Sequence, residues 1–287
     1  MQVASIASPT VVFNYLKMIR ALNLFIVALT QYLTAIFLIG QPEEWRSIVF
    51  DKGFFLLVSS TVIITSAGYL INDYYDIKID YINRPDRVQV GKTLKRRWVI
   101  VGHTTLNFLG IAIGFYLSPF IGIINFMAAF FLWLYSNLLK RLPFVGNFTI
   151  AILTGTTLAL VSLYFGEKEY LILTYAVFAG FITLIREIIK DMEDMKGDER
   201  FGCKTLPIIW GIANTKKFIY GIIALFIMTV FMMMSALNLI IPIALTLMLF
   251  FLIFGLSRAD TVKGYHRLSN YCKLIMLLGV ISMVWIA

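Results

Sequence analysis

Long apolar runs of about 20 residues recur along the whole chain, and charged residues, glycine and proline mark the joints between them. A helix of that length crosses about 30 Å of hydrocarbon. The pattern predicts nine membrane-spanning segments, at residues 19–39, 50–72, 97–117, 119–138, 144–165, 169–190, 217–236, 238–256 and 268–286. It therefore predicts an all-α, polytopic membrane protein with a single domain over residues 1–287.

The composition agrees with a membrane protein. Hydrophobic residues make up 60% of the 287 residues and charged residues 14%, whereas soluble domains carry about 25% charged residues. The net charge of +9 would suit nucleic-acid binding, but its distribution indicates topology, because 22 of the 25 Lys and Arg fall in alternate loops. The other three are Arg46, Lys52 and Lys168. The positive-inside rule then predicts a cytoplasmic N-terminus, beside Lys17, and an external Ala287.

The second apolar run ends in a cluster of polar oxygen-bearing side chains. We call its members the first acidic ladder: Asn72, Asp76 and Asp80. On a helix these three lie within an arc of about 80°, and Asp73 lies just outside it. Pro85 predicts that the helix ends near Asn83. One helical face therefore presents a row of oxygen ligands.

The sixth apolar run ends in the same way. The members of the second acidic ladder are Asp191, Asp194 and Asp198, with Glu187 one turn earlier. Carboxylates spaced by three or four residues repel one another, and they are costly near hydrocarbon. One such cluster suits a solvated helix end, but two on the same predicted side favour bound divalent cations. Hard oxygen donors favour Mg²⁺, Ca²⁺ or Mn²⁺, and Mg²⁺ leaves positions for substrate phosphates. The ladders predict two or more Mg²⁺ ions holding a diphosphate.

Several other side chains near the ladders are candidates for substrate binding. The basic candidates are Arg20, Arg84, Arg87, Lys92, Lys140 and Lys204, and the remaining candidates are Asn23 and Tyr135. Arginine binds phosphate oxygens through two N–H groups and lysine binds them as a point charge. The alternative for each basic residue is a topological role alone. Tyr135 has an aromatic face that suits a passing cation, and its alternative is an interfacial tyrosine.

A cation transporter is the alternative from another class, because intramembrane carboxylates also line ion pathways. Transport sites lie near the middle of the membrane, often at broken helices. Here both ladders lie at helix ends, and no predicted span carries an acidic residue at its centre. The basic residues that follow both ladders repel cations and attract phosphates. The pattern favours an enzyme that acts on a diphosphate.

The two ladders resemble the two signatures of the UbiA superfamily of intramembrane prenyltransferases. These are Asn-x-x-x-Asp-x-x-x-Asp, matched by the first ladder, and Asp-x-x-x-Asp, matched by Asp194 and Asp198. The resemblance implies nine helices around a central lipid-open cavity, with cytoplasmic cap loops after the second and sixth helices. It implies that Mg²⁺ held by both ladders binds a polyprenyl diphosphate, whose C1–O bond ionises before an acceptor captures the allylic cation. It also places Arg20 and Asn23 near the acceptor.

Within the superfamily, "NDYYDIKIDYINRPDR" and "REIIKDMEDMKGD" are most similar to the subgroup that alkylates the free hydroxyl of geranylgeranylglyceryl phosphate in ether-lipid synthesis. The resemblance implies a geranylgeranyl donor, a lipid-soluble acceptor and contact with membrane lipid. The charge distribution predicts that nucleic acid is not a partner, and the sequence indicates no obligate protein partner. An aromatic acceptor, such as a menaquinone- or ubiquinone-type precursor, is the alternative.

Overall fold

The computed structural model describes residues 18–40, 42–166, 169–233 and 239–285. Within these ranges nine helices are long and apolar enough to cross a membrane, which confirms the all-α prediction. They are α1 (Ala21–Leu33, continued by the π-helical turns Thr34–Ile39), α2 (Lys52–Asn83), α3 (Arg96–Leu117), α4 (Pro119–Asn137), α5 (Val145–Phe165), α6 (Glu169–Arg200), α7 (Leu206–Met232), α8 (Ile240–Arg258) and α9 (Val262–Ser282). Lys17 and Ala287, which enter the topology prediction, lie outside the described residues.

The two helices that carry the acidic ladders continue well past their apolar runs. Helix α2 ends at Asn83, two residues before Pro85, as the proline predicts. Helix α6 continues to Arg200. Both ladders are therefore entirely helical, and the spacing of three and four residues places their members on successive turns.

Helix α7 begins at Leu206, well before its predicted start at 217. Pro207 lies in the first helical turn, where its missing N–H removes no helical hydrogen bond. Gly211 then interrupts the helix with φ 75° and ψ 163°, a conformation that only glycine adopts readily. The connection between α6 and α7 is thus five residues, 201–205, and a short helical turn follows it up to this kink.

The connection after α2 is longer and irregular. It contains a 3₁₀ turn at Pro85–Arg87 and an isolated bridge between Val90 and Leu94. Val88, Val90 and Leu94 are buried and pack in one cluster with Leu70 and Ile77 of α2. The connection is therefore folded against the end of α2 and held there by apolar packing.

The chain divides into two compact units. The first comprises the described residues from Met18 to Leu29 and Lys52–Leu138, in which α2, α3 and α4 pack against one another. Asn125 of α4 is 1% exposed and donates to Ser60 Oγ (3.1 Å) and to the Gly110 carbonyl (3.0 Å), so one amide links all three helices. A Cβ on Gly110 would lie 2.6 Å from the Ile64 side chain, so the glycine permits the close approach of α3 to α2.

The second unit comprises the described residues of Thr30–Asp51 and those from Leu139 onward, including helices α5 to α9. Helix α6 packs against α5, α7 and α9. Its residues Ile185, Ile188 and Ile189 are fully buried in the core of this unit. The Tyr175 hydroxyl of α6 lies 2.9 Å from Ser282 Oγ of α9, which adds a buried polar contact to the apolar packing.

Helices α2 and α6 are the most buried spans among the described residues. In their most apolar windows 61% and 67% of the residues are buried, compared with 17–33% for the other seven. A helix surrounded by other helices is apolar on all its faces, which fits the uncharged stretches before both ladders. The two helices that bear the ladders are thus firmly supported by their neighbours.

Candidate functional site

The first acidic ladder begins where α2 becomes less buried. Asn72, Asp76 and Asp80 are all half-buried. The Asn72 Nδ2 donates to Asp76 Oδ2 at 2.9 Å, so these two side chains meet across one helical turn. The Arg84 N–H donates to the Asp80 carbonyl at 2.8 Å and completes the last turn of the helix. The predicted row of oxygen donors is present on one face.

Asp73 faces a different partner. The Arg20 Nη2 donates to Asp73 Oδ1 at 3.0 Å, and the Arg20 guanidinium lies 4.6 Å from the centre of the Tyr69 ring. Asn23 Nδ2 donates to the Tyr69 hydroxyl at 3.3 Å. The two residues predicted near the acceptor, Arg20 and Asn23, therefore converge on Tyr69 and Asp73 of α2.

The backbone of Arg20 is unusual. Its φ is 56°, in the left-handed region that costs an L-residue roughly 1–2 kcal/mol. The ion pair with Asp73 and the contact with the Tyr69 ring both hold the guanidinium in place. Such strain is common at functional sites.

The basic residues after the first ladder differ in their surroundings. Arg84 is half-buried, directly after α2. Lys92 Nζ donates to the Pro85 carbonyl at 3.0 Å and lies 5.1 Å from the centre of the Tyr81 ring, so Lys92 also holds the connection to the helix end. The side chain of Arg87 lies outside the described part of the structure.

The second acidic ladder has a partner that the sequence did not indicate. Asn147, in the first turn of α5, donates its Nδ2 to Asp191 Oδ2 at 2.8 Å. The Asp191 carboxylate interacts electrostatically with the carboxylates of Asp198 and Glu187 and with the Lys190 ammonium. Asp191 is therefore close enough to Asp198, another member of the second ladder, for their charges to interact, as the helical spacing predicts.

The other carboxylates near the end of α6 have partners of their own. Glu187 pairs with Arg186 and, at 3.1 Å, with Lys190. Glu193, between two ladder residues in sequence, lies 2.9 Å from His266 Nδ1 of α9. Glu187, predicted only as a neighbour of the ladder, is therefore engaged in ion pairs. Glu193 fastens the end of α6 to α9.

Two basic segments meet beside the second ladder. Lys140 and Arg141 lie in a 3₁₀ turn after α4. The Lys204 N–H donates to the Arg141 carbonyl at 2.8 Å, which joins this turn to the connection after α6. Lys140 is half-buried and Lys204 is exposed. The predicted basic residues of this unit are thus carried by adjoining segments.

Tyr135 is half-buried on α4 in the other unit.

The ladders offer donors that suit Mg²⁺, although they do not form a ready-made metal cage. In the described ranges, no group of three or more His, Cys, Asp or Glu side chains could hold a metal ion by itself. Each ladder instead has one carboxylate bonded to an amide, from Asn72 in one and from Asn147 in the other. Hard oxygens in small number fit Mg²⁺, which keeps positions for water and phosphate.

Apolar spans that end in rows of oxygen donors, beside basic turns, favour a polytopic membrane enzyme that acts on a phosphorylated substrate. Sequence comparison specifies the class further. The UbiA prenyltransferase family matches residues 17–278, and the chain belongs to that family. It is an integral, multi-pass membrane protein and a prenyltransferase. The resemblance drawn from the two ladders is confirmed.

Individual relatives agree with the family assignment. Digeranylgeranylglyceryl phosphate synthase of Methanosphaera stadtmanae is 30% identical over 276 residues, covering 93% of this chain and 97% of the relative. A solved structure of a digeranylgeranylglyceryl phosphate synthase covers 96% of this chain and 99% of its own, with a TM-score of 0.72 and 23% identity. A UbiA homologue from Archaeoglobus fulgidus, solved with DMAPP and Mg²⁺, covers 96% of this chain and all of its own, with a TM-score of 0.66 and 14% identity. The structural likenesses establish a shared fold.

Proposed function

We propose that this protein transfers a geranylgeranyl group from its diphosphate to the free hydroxyl of geranylgeranylglyceryl phosphate, with Mg²⁺ as cofactor, in ether-lipid synthesis. The observation that carries the proposal is the pair of acidic ladders on the two most buried spans. The acceptor is inferred from relatives whose names state this activity, among them the digeranylgeranylglyceryl phosphate synthase of Methanosphaera stadtmanae. We also propose that residues 1–287 form a single prenyltransferase domain.

The ladders are the proposed metal ligands and catalytic residues: Asn72, Asp76, Asp80, Asp191, Asp194 and Asp198. When bound there, Mg²⁺ neutralises the charge that develops on the departing diphosphate. The half-buried positions of all six side chains support this role, because they combine partial shielding from water with access for a substrate. The chain supplies the donors, and the helical backbones of α2 and α6 hold them on successive turns.

The other candidates divide between donor and acceptor. Arg84, Arg87, Lys92 and Lys204 adjoin the ladders and bind the donor diphosphate. Arg20, Asn23 and Lys140 bind the acceptor, with Arg20 and Lys140 on its phosphate. Tyr135 presents its ring to the allylic cation. The acceptor brings its own dianion close to the diphosphate, and these additional cations offset the repulsion.

The reaction then needs little covalent chemistry from the protein. The C1–O bond of the donor breaks and its electron pair leaves with the diphosphate. The acceptor hydroxyl oxygen forms the new bond to C1 and loses its proton. The chain orients the two lipids and excludes water from the cation, which the apolar surroundings of a membrane site favour.

A direct assay tests the proposal. Membranes containing the protein, supplied with Mg²⁺ and radiolabelled geranylgeranyl diphosphate, are expected to prenylate geranylgeranylglyceryl phosphate and to do so less well with geranylgeranylglycerol. The phosphate-free lipid is a matched control, because it differs only in the group that the cations are proposed to bind. Prenylation of a hydroxybenzoate or naphthoate instead would show that the proposed acceptor is wrong, although the protein would still be a prenyltransferase.

We propose a cytoplasmic N-terminus and a cytoplasmic mouth of the active site, on the basis of the charge distribution. Reporters fused after Lys95 or Lys204 are expected to read cytoplasmic, whereas reporters after Gly166 or Ala287 are expected to read external. The Gly166 fusion is the internal control, since it follows an odd number of crossings. A cytoplasmic signal from the Ala287 fusion would contradict the odd count of spans.

A further inference from the structure

The contact between Asn147 and Asp191 joins an acidic ladder to a helix that carries no ladder. Asn147 is 6% exposed, and its Nδ2 lies 2.8 Å from Asp191 Oδ2. The two residues are 44 positions apart in the chain. An amide that donates to a carboxylate restricts the rotation of that carboxylate and determines which oxygen is engaged. The contact therefore defines how Asp191 is presented.

The first turn of α5 is itself tightly fixed. A Cβ on Gly146 would lie 2.8 Å from both the Leu139 carbonyl oxygen and the Lys140 Cα, so only glycine allows the helix to start against the preceding turn. Phe144 precedes the helix with a φ of 65°, and its ring stacks on Phe148 with centroids 5.6 Å apart. The backbone at Asn147 is thus fixed by the close contact at Gly146 and by the stacking of Phe144 on Phe148.

Asp191 needs such a support more than an ordinary carboxylate does. It interacts unfavourably with the charges of Asp198 and Glu187, which lie on the same helix. Without a fixed donor, this repulsion would favour rotamers that separate the carboxylates. The Asn147 amide opposes that separation from a neighbouring helix, while the contact between Glu193 and His266 holds the same end of α6 against α9.

We propose that Asn147 is a positioning residue for the second acidic ladder. It holds Asp191 through its Nδ2 so that the carboxylate is oriented for Mg²⁺ before substrate arrives. This inference rests on the proposed function, because it takes Asp191 as a metal ligand. Residues that orient metal ligands typically contribute a factor of about 10 to 100 in metal affinity.

The test measures metal binding without turnover. Purified protein is titrated with Mn²⁺ in the presence of inorganic pyrophosphate, and bound Mn²⁺ is followed by electron paramagnetic resonance. Asn147→Leu, which keeps the size of the side chain and removes its N–H groups, is expected to weaken Mn²⁺ binding about 10- to 100-fold. Asn147→Ser, whose hydroxyl is too short to replace the amide, is expected to do the same. In turnover, KM for Mg²⁺ should rise more than kcat falls.

Tyr175→Phe is the matched control. It also removes a buried contact between α6 and another helix, to Ser282, but far from the ladder in sequence. It should leave Mn²⁺ affinity unchanged even if it lowers Tm. Unchanged Mn²⁺ affinity in both Asn147 variants, with normal binding by the wild type, would overturn the inference alone. Failure of the wild type to bind Mn²⁺ with pyrophosphate would overturn the proposed metal site as well.

Discussion

Asp76→Ala and Asp194→Ala are each expected to reduce kcat by roughly 10²- to 10³-fold at saturating Mg²⁺, the usual cost of losing one group that stabilises transition-state charge. Each substitution removes one proposed ligand from a different ladder. Neither should prevent membrane insertion, because the apolar parts of α2 and α6 are unchanged. The measurement is the initial rate of prenyl transfer by purified variants, with Tm recorded in parallel.

The chain offers a matched control for each ladder. Asp86 follows the first ladder and Glu199 follows Asp198 directly, and both are exposed. Asp86→Ala and Glu199→Ala remove the same charge close to the same helix ends and should keep rates within a few-fold of the wild type. Near-normal turnover by Asp76→Ala or Asp194→Ala would contradict the metal site. Equal losses in the ladder and control variants would indicate a general electrostatic effect.

The acidic ladders could be predicted from the sequence because they depend on local geometry alone. Asn72 and Asp76 are one helical turn apart in any α-helix, and their 2.9 Å hydrogen bond reflects that spacing. Pro85 likewise acts on the residues just before it, so the end of α2 at Asn83 was predictable. Nine apolar runs were sufficient for the spans, since hydrocarbon thickness sets their length.

The partners of the ladders could not be predicted, because each contact depends on the packing of helices distant in sequence. The contact of Asn147 with Asp191 spans 44 positions and that of His266 with Glu193 spans 73. A lone Asn in the apolar sequence of α5 was a signal, but it did not identify its partner. The early start of α7 was missed for a different reason. The predicted span began at 217 and left Lys216 among the basic residues of the preceding loop, whereas Lys216 lies within the helix.

The contacts of Arg20 add to the role that the sequence suggests for this residue. The sequence suggested a cation for the acceptor phosphate, and the structure pairs Arg20 with Asp73 at 3.0 Å. Both side chains are partly accessible, at 39% and 20% exposure, so the ion pair is not sealed from solvent. A guanidinium carries five N–H donors, and a phosphate can therefore bind an arginine that a carboxylate orients. We interpret Asp73 as the residue that orients Arg20.

Arg20→Ala is accordingly expected to raise KM for geranylgeranylglyceryl phosphate about 10- to 150-fold, with a much smaller change in KM for the donor. The reason is the loss of one charge-assisted contact, which contributes about 1.5–3 kcal/mol. Initial rates are measured with each substrate varied while the other is saturating. Arg97→Ala is the matched control, since Arg97 is an exposed arginine in the same unit and on the same predicted side.

A second variant separates phosphate binding from simple neutralisation of Asp73. Arg20→Ala leaves the Asp73 carboxylate without the ion pair, and this alone would disturb α2 close to Asn72. The double variant Arg20→Ala/Asp73→Asn also removes the negative charge of Asp73. If Arg20 binds the acceptor phosphate, the double variant keeps the raised acceptor KM, because no cation has been restored. If Arg20 only neutralises Asp73, the double variant recovers the wild-type KM and the assignment is wrong. A rise in the donor KM without a rise in the acceptor KM would instead indicate that Arg20 binds the donor diphosphate.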